Sequence, residues 1–220
     1  MSDVFREVDE DVRHEQWRKL FRAYGGYIIG AVVSFVMVFA GSIAWSEYQT
    51  GQRQLESQRY VTASQTLSEG AASLAAQQFG SLADDAADGY GALARLREAD
   101  ALAQAGDVTG AVAALDRLAD DGDADMAFRD LARLFAVYQL MDIASRGELD
   151  RRLEPLLSEN SPWRASAREL SGLIAFRAGE ISTARKMFTT IVEDSATPST
   201  ARSRAAGLLA IIGGSAGEGG

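Results

Sequence analysis

The side chains of this chain that could do chemistry are mostly carboxylates, because 31 acidic residues stand beside one histidine and no cysteine. Their densest group is the stretch Asp120-Asp121-Gly122-Asp123-Ala124-Asp125, which invites comparison with a calcium loop. An EF-hand loop places oxygen ligands at its first, third and fifth positions and a glycine at its sixth. With Gly122 in the sixth position, Arg117 and Ala119 occupy the first and third, so the pattern fails. The stretch instead predicts a solvated turn whose aspartates cap the following helix.

Catalytic and metal-binding patterns are missing from the rest of the sequence. Without cysteine there is no disulfide, no thiolate metal site and no thiol nucleophile. His14 has no second ligand near it, whereas catalytic triads and zinc sites need further groups in set arrangements. No phosphate-binding glycine loop or serine elbow occurs, and no local pair of carboxylates stands out for acid–base work. We therefore expect no enzyme activity, no cofactor and no metal.

The overall charge argues against a nucleic-acid ligand. The chain has 22 basic residues against 31 acidic ones, a formal net charge of −9 and a pI near 4.7. Binding a phosphate backbone requires clustered positive charge, which this composition does not offer.

The chain after position 47 has the composition and spacing of helical repeats. Ala and Leu dominate, β-branched residues are sparse, and no run alternates like a strand. Two segments 73 residues apart share a small residue, a glycine and an acidic residue, followed at fixed offsets by three apolar residues. These segments are Ala105-Gly106-Asp107 with Ala111, Leu115 and Leu118, and Ala178-Gly179-Glu180 with Ala184, Phe188 and Ile191. Arg146-Gly147-Glu148 with Leu153 and Leu156 forms a looser third copy.

The repeated pattern has a physical reading as a pair of packed helices. Glycine ends one helix in the left-handed conformation, and the acidic residue begins the next near its positive end. The small alanine allows close packing, and the larger residue four positions later fills the space between repeats. This spacing is typical of tetratricopeptide repeats of about 34 residues, although the copies are unequally spaced. We predict an all-α fold with a TPR-like α-solenoid over residues 47–212.

Helix boundaries follow from prolines, glycines and capping residues. Pro155 should kink or shorten its helix, and Ser161 and Thr197 should cap helices that begin at the prolines after them. Residues 213–220 are too rich in glycine to fold and form a flexible tail. The predicted helices run near 47–68, 70–79, 86–105, 108–120, 125–146, 148–158, 162–178, 181–194 and 198–212.

A charge-free segment precedes the repeats. Residues 23–46 contain no ionisable group except tyrosine, and about 20 apolar residues suffice for a helix to cross a bilayer. We predict a transmembrane signal anchor over residues 25–46. The alternatives are a buried core helix, which would carry some charge on one side, and a cleaved signal peptide, whose apolar core is shorter. Membrane lipid is therefore a predicted partner.

Aromatic and basic residues flank the predicted span. The residues predicted to lie at the membrane interfaces are Trp17, Phe21 and Tyr24 before the span, and Trp45 and Tyr48 at its other end. Four basic residues precede the span within a short distance and two follow it, so residues 1–24 should form a cytoplasmic amphipathic tail. The C-terminal part would then lie on the far side.

Small residues recur at every fourth position inside the predicted span. Gly26, Gly30 and Ser34 could let a partner helix or a second copy of the chain approach closely. The alternative is that they reflect the ordinary frequency of glycine in such helices. The sequence leaves open whether the protein forms a homo-oligomer.

Three segments resemble the YfgM family of ancillary SecYEG translocon subunits, in particular its alphaproteobacterial members. They are Glu10-Asp11-Val12-Arg13-His14-Glu15 with Tyr24-Gly25, the region from Leu153 to Leu170 that contains Ser161-Pro162-Trp163-Arg164, and Pro198 to Ala206. The resemblance covers nearly the whole chain, and the Ser-Pro-Trp-Arg segment is its most specific part.

The resemblance implies a place and a role. It implies a bacterial inner-membrane protein whose periplasmic TPR-like domain contacts the SecYEG translocon and periplasmic chaperones of the PpiD type, and so helps exported chains reach folding factors. It supplies no catalytic residues. The alternative is a membrane-tethered TPR scaffold for other envelope assembly, such as division or cell-wall machinery.

Overall fold

The computed structural model describes the backbone of residues 3–86 and 88–215, and the side chains of residues 26, 27, 30, 33–86 and 89–213. The described residues form nine α-helices and one short 3-10 helix, which confirms the all-α prediction. The helices are α1 (Asp3–Ser68), α2 (Ala72–Asp85), α3 (Asp88–Gln104), α4 (Val108–Asp120), α5 (Met126–Leu140), α6 (Arg146–Leu153), the 3-10 helix (Glu154–Leu157), α7 (Arg164–Arg177), α8 (Ile181–Glu193) and α9 (Ser199–Ser215). The chain divides into two compact units, Met1–Leu55 and Glu56–Gly220.

In the first unit, the described residues belong to α1. Every described side chain from residue 33 to residue 50 is exposed, including those of Phe35, Met37 and Phe39. No helix in the described part of the chain is long and apolar enough to cross a membrane. Of the predicted span 25–46, the side chains of residues 25, 28, 29, 31 and 32 lie outside the described part, as do all those of the predicted tail 1–24.

The second unit is built from four helix pairs followed by α9. The pairs are the end of α1 with α2, α3 with α4, α5 with α6, and α7 with α8. Every second helix buries three residues with the same spacing, and successive copies are 36, 38 and 35 residues apart. These residues are Ala75, Phe79 and Leu82 in α2; Ala111, Leu115 and Leu118 in α4; Leu149, Leu153 and Leu156 in α6 and the 3-10 helix; and Ala184, Phe188 and Ile191 in α8.

This regular spacing confirms the TPR-like repeat. It also corrects the sequence-based interpretation that the copies are unequally spaced. The copies looked unequally spaced because the third one was aligned on Gly147, which lies three residues after the position equivalent to Gly106 and Gly179. The first copy, which follows Gly70, was missed. The third copy does bury Leu153 and Leu156 as predicted, but it has Leu149 where the other three have alanine. Once all four copies are aligned, the spacing matches the expected length of about 34 residues closely.

The first helix of each pair also contributes a small or compact residue to the contact between the two helices of that pair. Ala63, Ala99, Val137 and Gly172 each lie 12 residues before the first buried residue of the second helix, and all four are buried. The closest approach is at Gly172, where an added methyl group would lie 2.6 Å from Cε1 of Phe188. Glycine at this position therefore lets the aromatic ring pack directly on the α7 backbone.

Three of the four turns within the pairs use a left-handed glycine. Gly70, Gly106 and Gly179 have φ angles of 85°, 84° and 77°, so the predicted role of the latter two glycines is confirmed. The prediction for Gly147 is wrong, because this residue lies inside α6. The third turn is formed instead by residues 141–145, and Ser145 caps α6 by accepting from the N–H of Glu148.

Several predicted helix ends also need correction. The second helix continues to Asp85 rather than ending at residue 79, and α5 stops at Leu140 rather than 146, before the turn that Ser145 closes. Pro155 does end its α-helix, since the chain passes into the 3-10 helix at Glu154. The last helix extends to Ser215 and so includes three residues of the predicted tail. Residues 216–220 lie outside the described part.

The last helix covers the end of the fourth pair. Ala205 and Ile212 of α9 are buried in one cluster with Phe188 and Ile191 of α8. This gives the repeat array a terminal helix that shields its last apolar face from solvent.

Candidate interaction groove

A groove with a volume near 750 Å³ follows the first helices of the four pairs. Its apolar lining comes mainly from α3, α5 and α7, whose apolar residues recur with helical spacing, and Leu115 of α4 adds to it. The apolar lining residues are Leu93, Leu96, Leu115, Leu134, Phe135, Leu170 and Leu173, together with the ring of Tyr138. We call this surface the groove. None of its residues was predicted from the sequence to bind a partner.

Three large side chains in the groove remain accessible. Leu93 is 39% exposed, Phe135 41% and Tyr138 66%, and all three belong to first helices. Phe135 and Tyr138 are three residues apart on α5, so they occupy one helix face. This exposed apolar surface is available to a partner, and proteins commonly use such patches for recognition.

The charged side chains that line the groove are all in ion pairs. Arg97 donates to Asp100 at 2.6 Å on α3. Arg204 of α9 donates through Nε and Nη2 to the two carboxylate oxygens of Glu169 on α7, at 3.0 and 2.8 Å. The hydrogen bond to Glu169 raises the pKa of the Arg204 guanidinium. The groove therefore has no net charge from its lining residues.

An aromatic cluster borders the groove at the first repeat. The ring of Tyr60 meets Phe79 edge-on with centroids 5.5 Å apart, and it meets Tyr90 in the same way at 6.3 Å. The guanidinium of Arg97 lies 5.7 Å from the centre of the Phe79 ring, within the range of a cation–π contact. These contacts hold Tyr60 and Arg97 in place at this border.

An arginine recurs at one position of all four first helices, which sequence reasoning missed. Arg59, Arg95, Arg133 and Arg168 each lie 16 residues before the first buried residue of the following helix. A search for charged residues at the repeat spacing of about 36 would have found them. Recurrence at one fixed position indicates a shared structural role.

Each of these arginines binds the end of a second helix. Arg59 donates to Asp85 at 2.9 Å, and Arg95 donates to Asp84 at 2.7 Å. Arg133 donates to the carbonyl oxygen of Ala119 at 2.9 Å, and Arg168 donates to Asp194 at 3.0 Å. Because the C-terminal end of a helix carries partial negative charge, cations are favoured there. The arginines therefore connect neighbouring helices along the array.

The buried carboxylate of Glu98 extends this set of contacts. Glu98 is 8% exposed and accepts from Arg95 at 2.9 Å and from Arg117 at 3.3 Å. A methyl group at Gly80 would lie 3.1 Å from its Oε1 atom, so glycine makes room for the carboxylate. A buried charge is tolerated when it is paired in this way. The role of Glu98 is therefore explained by packing.

The acidic stretch 120–125 has the structural role that its sequence predicted. Asp125 caps α5 by accepting from the N–H of Ala127 at 2.7 Å, and Asp121 accepts from the N–H of Asp123 at 3.0 Å. Asp84 and Asp85 lie in the last turn of α2 and pair with arginines. Among the side chains that the structure describes, no group of three or more His, Cys, Asp or Glu residues could hold a metal ion.

The residues predicted for the membrane lie in the first unit. Trp45 and Tyr48 are exposed, with ring centroids 6.3 Å apart, and the space beside Gly26 and Gly30 is open. Ser34 is exposed. The side chains of Trp17, Phe21 and Tyr24 lie outside the described residues, so nothing tests their predicted place.

Comparison with known proteins identifies the family. The tetratricopeptide repeat-like domain matches residues 18–205, which is most of the chain. The chain belongs to this family. No curated protein and no solved structure shows significant similarity to it. Domains of this class are typically non-catalytic scaffolds that bind other proteins on the extended surface of stacked repeats.

The described segments that carry the resemblance noted in the sequence hold the last pair together. Arg164 of the Ser-Pro-Trp-Arg segment donates to Asp194 at 2.9 Å, and Ser161 accepts from the N–H of Trp163 at 3.2 Å. The helix begins at Arg164, two residues later than predicted from Pro162. The third segment supplies Arg204, which binds Glu169. These residues build the scaffold on which the groove lies.

Proposed function

We propose that this protein is a non-enzymatic ancillary subunit of the SecYEG translocon in a bacterial inner membrane. Its TPR-like domain would lie in the periplasm and bind the translocon and a membrane-anchored chaperone of the PpiD type. The observation that carries an interaction role is the groove, because three large apolar side chains stay exposed in a folded repeat domain. The resemblance of three segments to the YfgM family supports the choice of partners.

A membrane anchor in α1 is part of the proposal. Residues 23–46 carry no Asp, Glu, Lys or Arg, and the described side chains from 33 to 46 are exposed on every side of the helix. A helix that is apolar all round requires an apolar environment, either a protein core or lipid. Exposed aromatic residues at 45 and 48 would suit the headgroup region at one end.

Membrane topology can be measured directly. We expect the full chain to resist alkaline extraction from membranes, and residues 47–220 to be digested by protease added from the periplasmic side. Protection of the C-terminal part would place the domain in the cytoplasm and contradict the proposal. Release of the full chain by alkaline extraction would contradict the proposed membrane anchor.

Partner identity is the decisive measurement. The full chain is purified by affinity from mildly solubilised membranes, and the proteins that accompany it are identified by mass spectrometry. We expect SecY, SecE and SecG together with a chaperone of the PpiD type. Recovery of division or cell-wall proteins instead would favour a scaffold for envelope assembly over the translocon subunit. Recovery of the chain alone would contradict both functions.

A matched pair of variants links the partners to the groove. Tyr138→Glu places a charge in the groove at a residue that is 66% exposed, and Met126→Glu places the same charge outside it on the same helix at 68% exposure. We expect the first variant to lose the accompanying proteins and the second to keep them. Equal recovery with both variants would mean that the partners bind elsewhere.

A further inference from the structure

We propose that the groove receives one amphipathic α-helix of another polypeptide, which inserts its apolar face, and that the groove does not receive an extended chain or a chain terminus. This inference rests on the proposed function, since it specifies the chemistry of the partner at the same site. It follows from the charges, the polarity and the spacing of the groove residues.

The charges exclude capture of a carboxylate. A terminal carboxylate or an acidic side chain is held by cations or by clustered N–H groups. The two cations that line the groove, Arg97 and Arg204, are already bound to Asp100 and Glu169. A second carboxylate would have to displace one of these, and for Arg204 it would break a two-point contact. The same pairs leave no free carboxylate for a basic residue of the ligand.

The polarity of the lining excludes an extended strand. A strand laid on this surface would place its backbone N–H and C=O groups over leucine and phenylalanine side chains. The described polar side-chain groups that line the groove without being in ion pairs are the amide of Gln139 and the hydroxyls of Ser166, Tyr60 and Tyr138. A buried backbone group without a partner costs about 1–3 kcal/mol. A helix satisfies its own backbone, so it avoids this cost.

The spacing of the exposed side chains suits a helix. Phe135 and Tyr138 lie on one face of α5, and Leu93 lies on α3 in the preceding pair. Side chains of neighbouring helices form ridges and grooves into which the ridges of a further helix can pack. A ligand helix would present apolar residues at positions i, i+3, i+4 and i+7.

The net charge of the whole second unit specifies the other face of the ligand. The second unit has 16 basic and 24 acidic residues, a net charge of −8. A helix with basic residues on its outer face would therefore associate faster, and added salt would slow that association. The preferred occupant is a helix with an apolar face and basic flanks.

The test measures binding of synthetic peptides to the full chain in nanodiscs of zwitterionic lipid. The probe is a fluorescent peptide of about 18 residues, or five turns, with Leu at helix-face positions and Lys elsewhere. Its controls are a scrambled peptide of the same composition and the same probe with an amidated C-terminus. Empty nanodiscs give the contribution of lipid, which is subtracted. Fluorescence anisotropy reports the affinity.

We expect the probe to bind at least about tenfold more tightly than the scrambled peptide, and amidation to change nothing. Tyr138→Glu and Leu93→Glu should each weaken binding about tenfold or more, which is the effect expected of a central apolar contact. Met126→Glu should stay within about twofold of the unaltered chain, since its exposure matches that of Tyr138. Circular dichroism on each variant checks that helix content is retained. If one of the two groove variants does not fold, the other one tests the proposal.

Three results would overturn the proposal: equal binding of the scrambled peptide, equal weakening by Met126→Glu, or loss of binding on amidation. The outcome is separate from that of the translocon proposal. Peptide binding without Sec subunits in the purification would keep the groove chemistry and remove the partner. Recovery of Sec subunits without peptide binding would keep the translocon as partner and contradict the proposed groove chemistry.

Discussion

Arg204 of α9 and Glu169 of α7 form a two-point ion pair in which Nε and Nη2 of the guanidinium donate to the two carboxylate oxygens at 3.0 and 2.8 Å. The pair ties the last helix of the array to the first helix of the last repeat. Both residues also line the groove. The same ion pair therefore attaches the last helix to the repeat array and forms part of the lining of the groove.

Removing this pair should loosen α9 with little effect elsewhere. Because Arg204 is half exposed, we expect Arg204→Ala to lower the free energy of unfolding by only about 0.5–1 kcal/mol. Amide hydrogen exchange should accelerate in α9 and remain unchanged in α3 and α4. Arg185→Ala is the control, since this exposed arginine has no ion pair among the described residues. Equal exchange in both variants would mean that α9 is held by apolar contacts alone.

The glycine in α7 should be required by the ring of Phe188. In Gly172→Ala the added methyl group would lie 2.6 Å from Cε1 of that ring. Overpacking costs about 1–3 kcal/mol, and the better helix propensity of alanine returns only about 1 kcal/mol. We expect a lower urea midpoint for Gly172→Ala, whereas Gly207→Ala in α9, which has open space beside it, should be neutral or stabilising.

A double variant tests whether the ring of Phe188 causes the loss of stability in Gly172→Ala. Adding Phe188→Leu to Gly172→Ala removes the clashing ring atoms, so the double variant should be less destabilised than the sum of the two single variants. Additive losses would show that the glycine is not needed for the ring.

Acid should remove the stabilising contribution of Asp194. The backbone N–H of Ala196 lowers the pKa of this carboxyl below its ordinary value of 3.8, burial opposes the change, and Arg164 and Arg168 add to the lowering. The ionised form is thus favoured in the folded state. Its contribution is complete above pH 3.8 and is lost as the pH falls through the lowered pKa.

The measurement compares the thermal midpoints of the unaltered chain and Asp194→Asn across this pH range. The variant should be less stable at neutral pH, and the gap should close as the pH falls below 3.8. A gap that stays constant to the lowest pH at which both proteins are folded would mean that the charge of Asp194 contributes nothing.

Sequence reasoning recovered the repeat but not all of its copies. Gly106 and Gly179 are followed by matching apolar residues, and this local signal was enough to predict helix pairs and the left-handed turns. The third turn has no such glycine, and Gly147 nearby misled the assignment because α5 and α6 are joined by a longer turn that ends at Ser145. Local patterns fix a turn type, whereas turn length follows from how the helices pack.

The groove could not be predicted in the same way. Leu93, Phe135 and Tyr138 have the helical spacing of core residues, and sequence periodicity does not distinguish a face that packs on a neighbour from one left open. That distinction depends on the curvature of the stacked repeats, which sums many small rotations. The recurring arginines, by contrast, were visible at the repeat spacing and could have been found.

Leu149 provides a test of whether repeat consensus or local packing decides stability. The other three copies have alanine at this position, so a consensus argument predicts that Leu149→Ala would be neutral or stabilising. The structure predicts the opposite, because Leu149 is buried in one cluster with Val137 of α5 and Leu153. Its partner position also holds a larger residue, Val137, where the other copies have Ala63, Ala99 and Gly172. The third pair has adapted to two larger residues, and truncating one leaves a cavity.

We expect Leu149→Ala to lower the free energy of unfolding by about 2–5 kcal/mol, as for other buried leucines. Leu74→Ala is the control, since Leu74 lies on α2 and is 52% exposed, and it should cost less than about 1 kcal/mol. Urea unfolding of the full chain in detergent, followed by circular dichroism, measures both. If Leu149→Ala were as stable as the unaltered chain, α5 and α6 would have closed to the shorter distance of the other pairs, and the consensus residue would fit there after all.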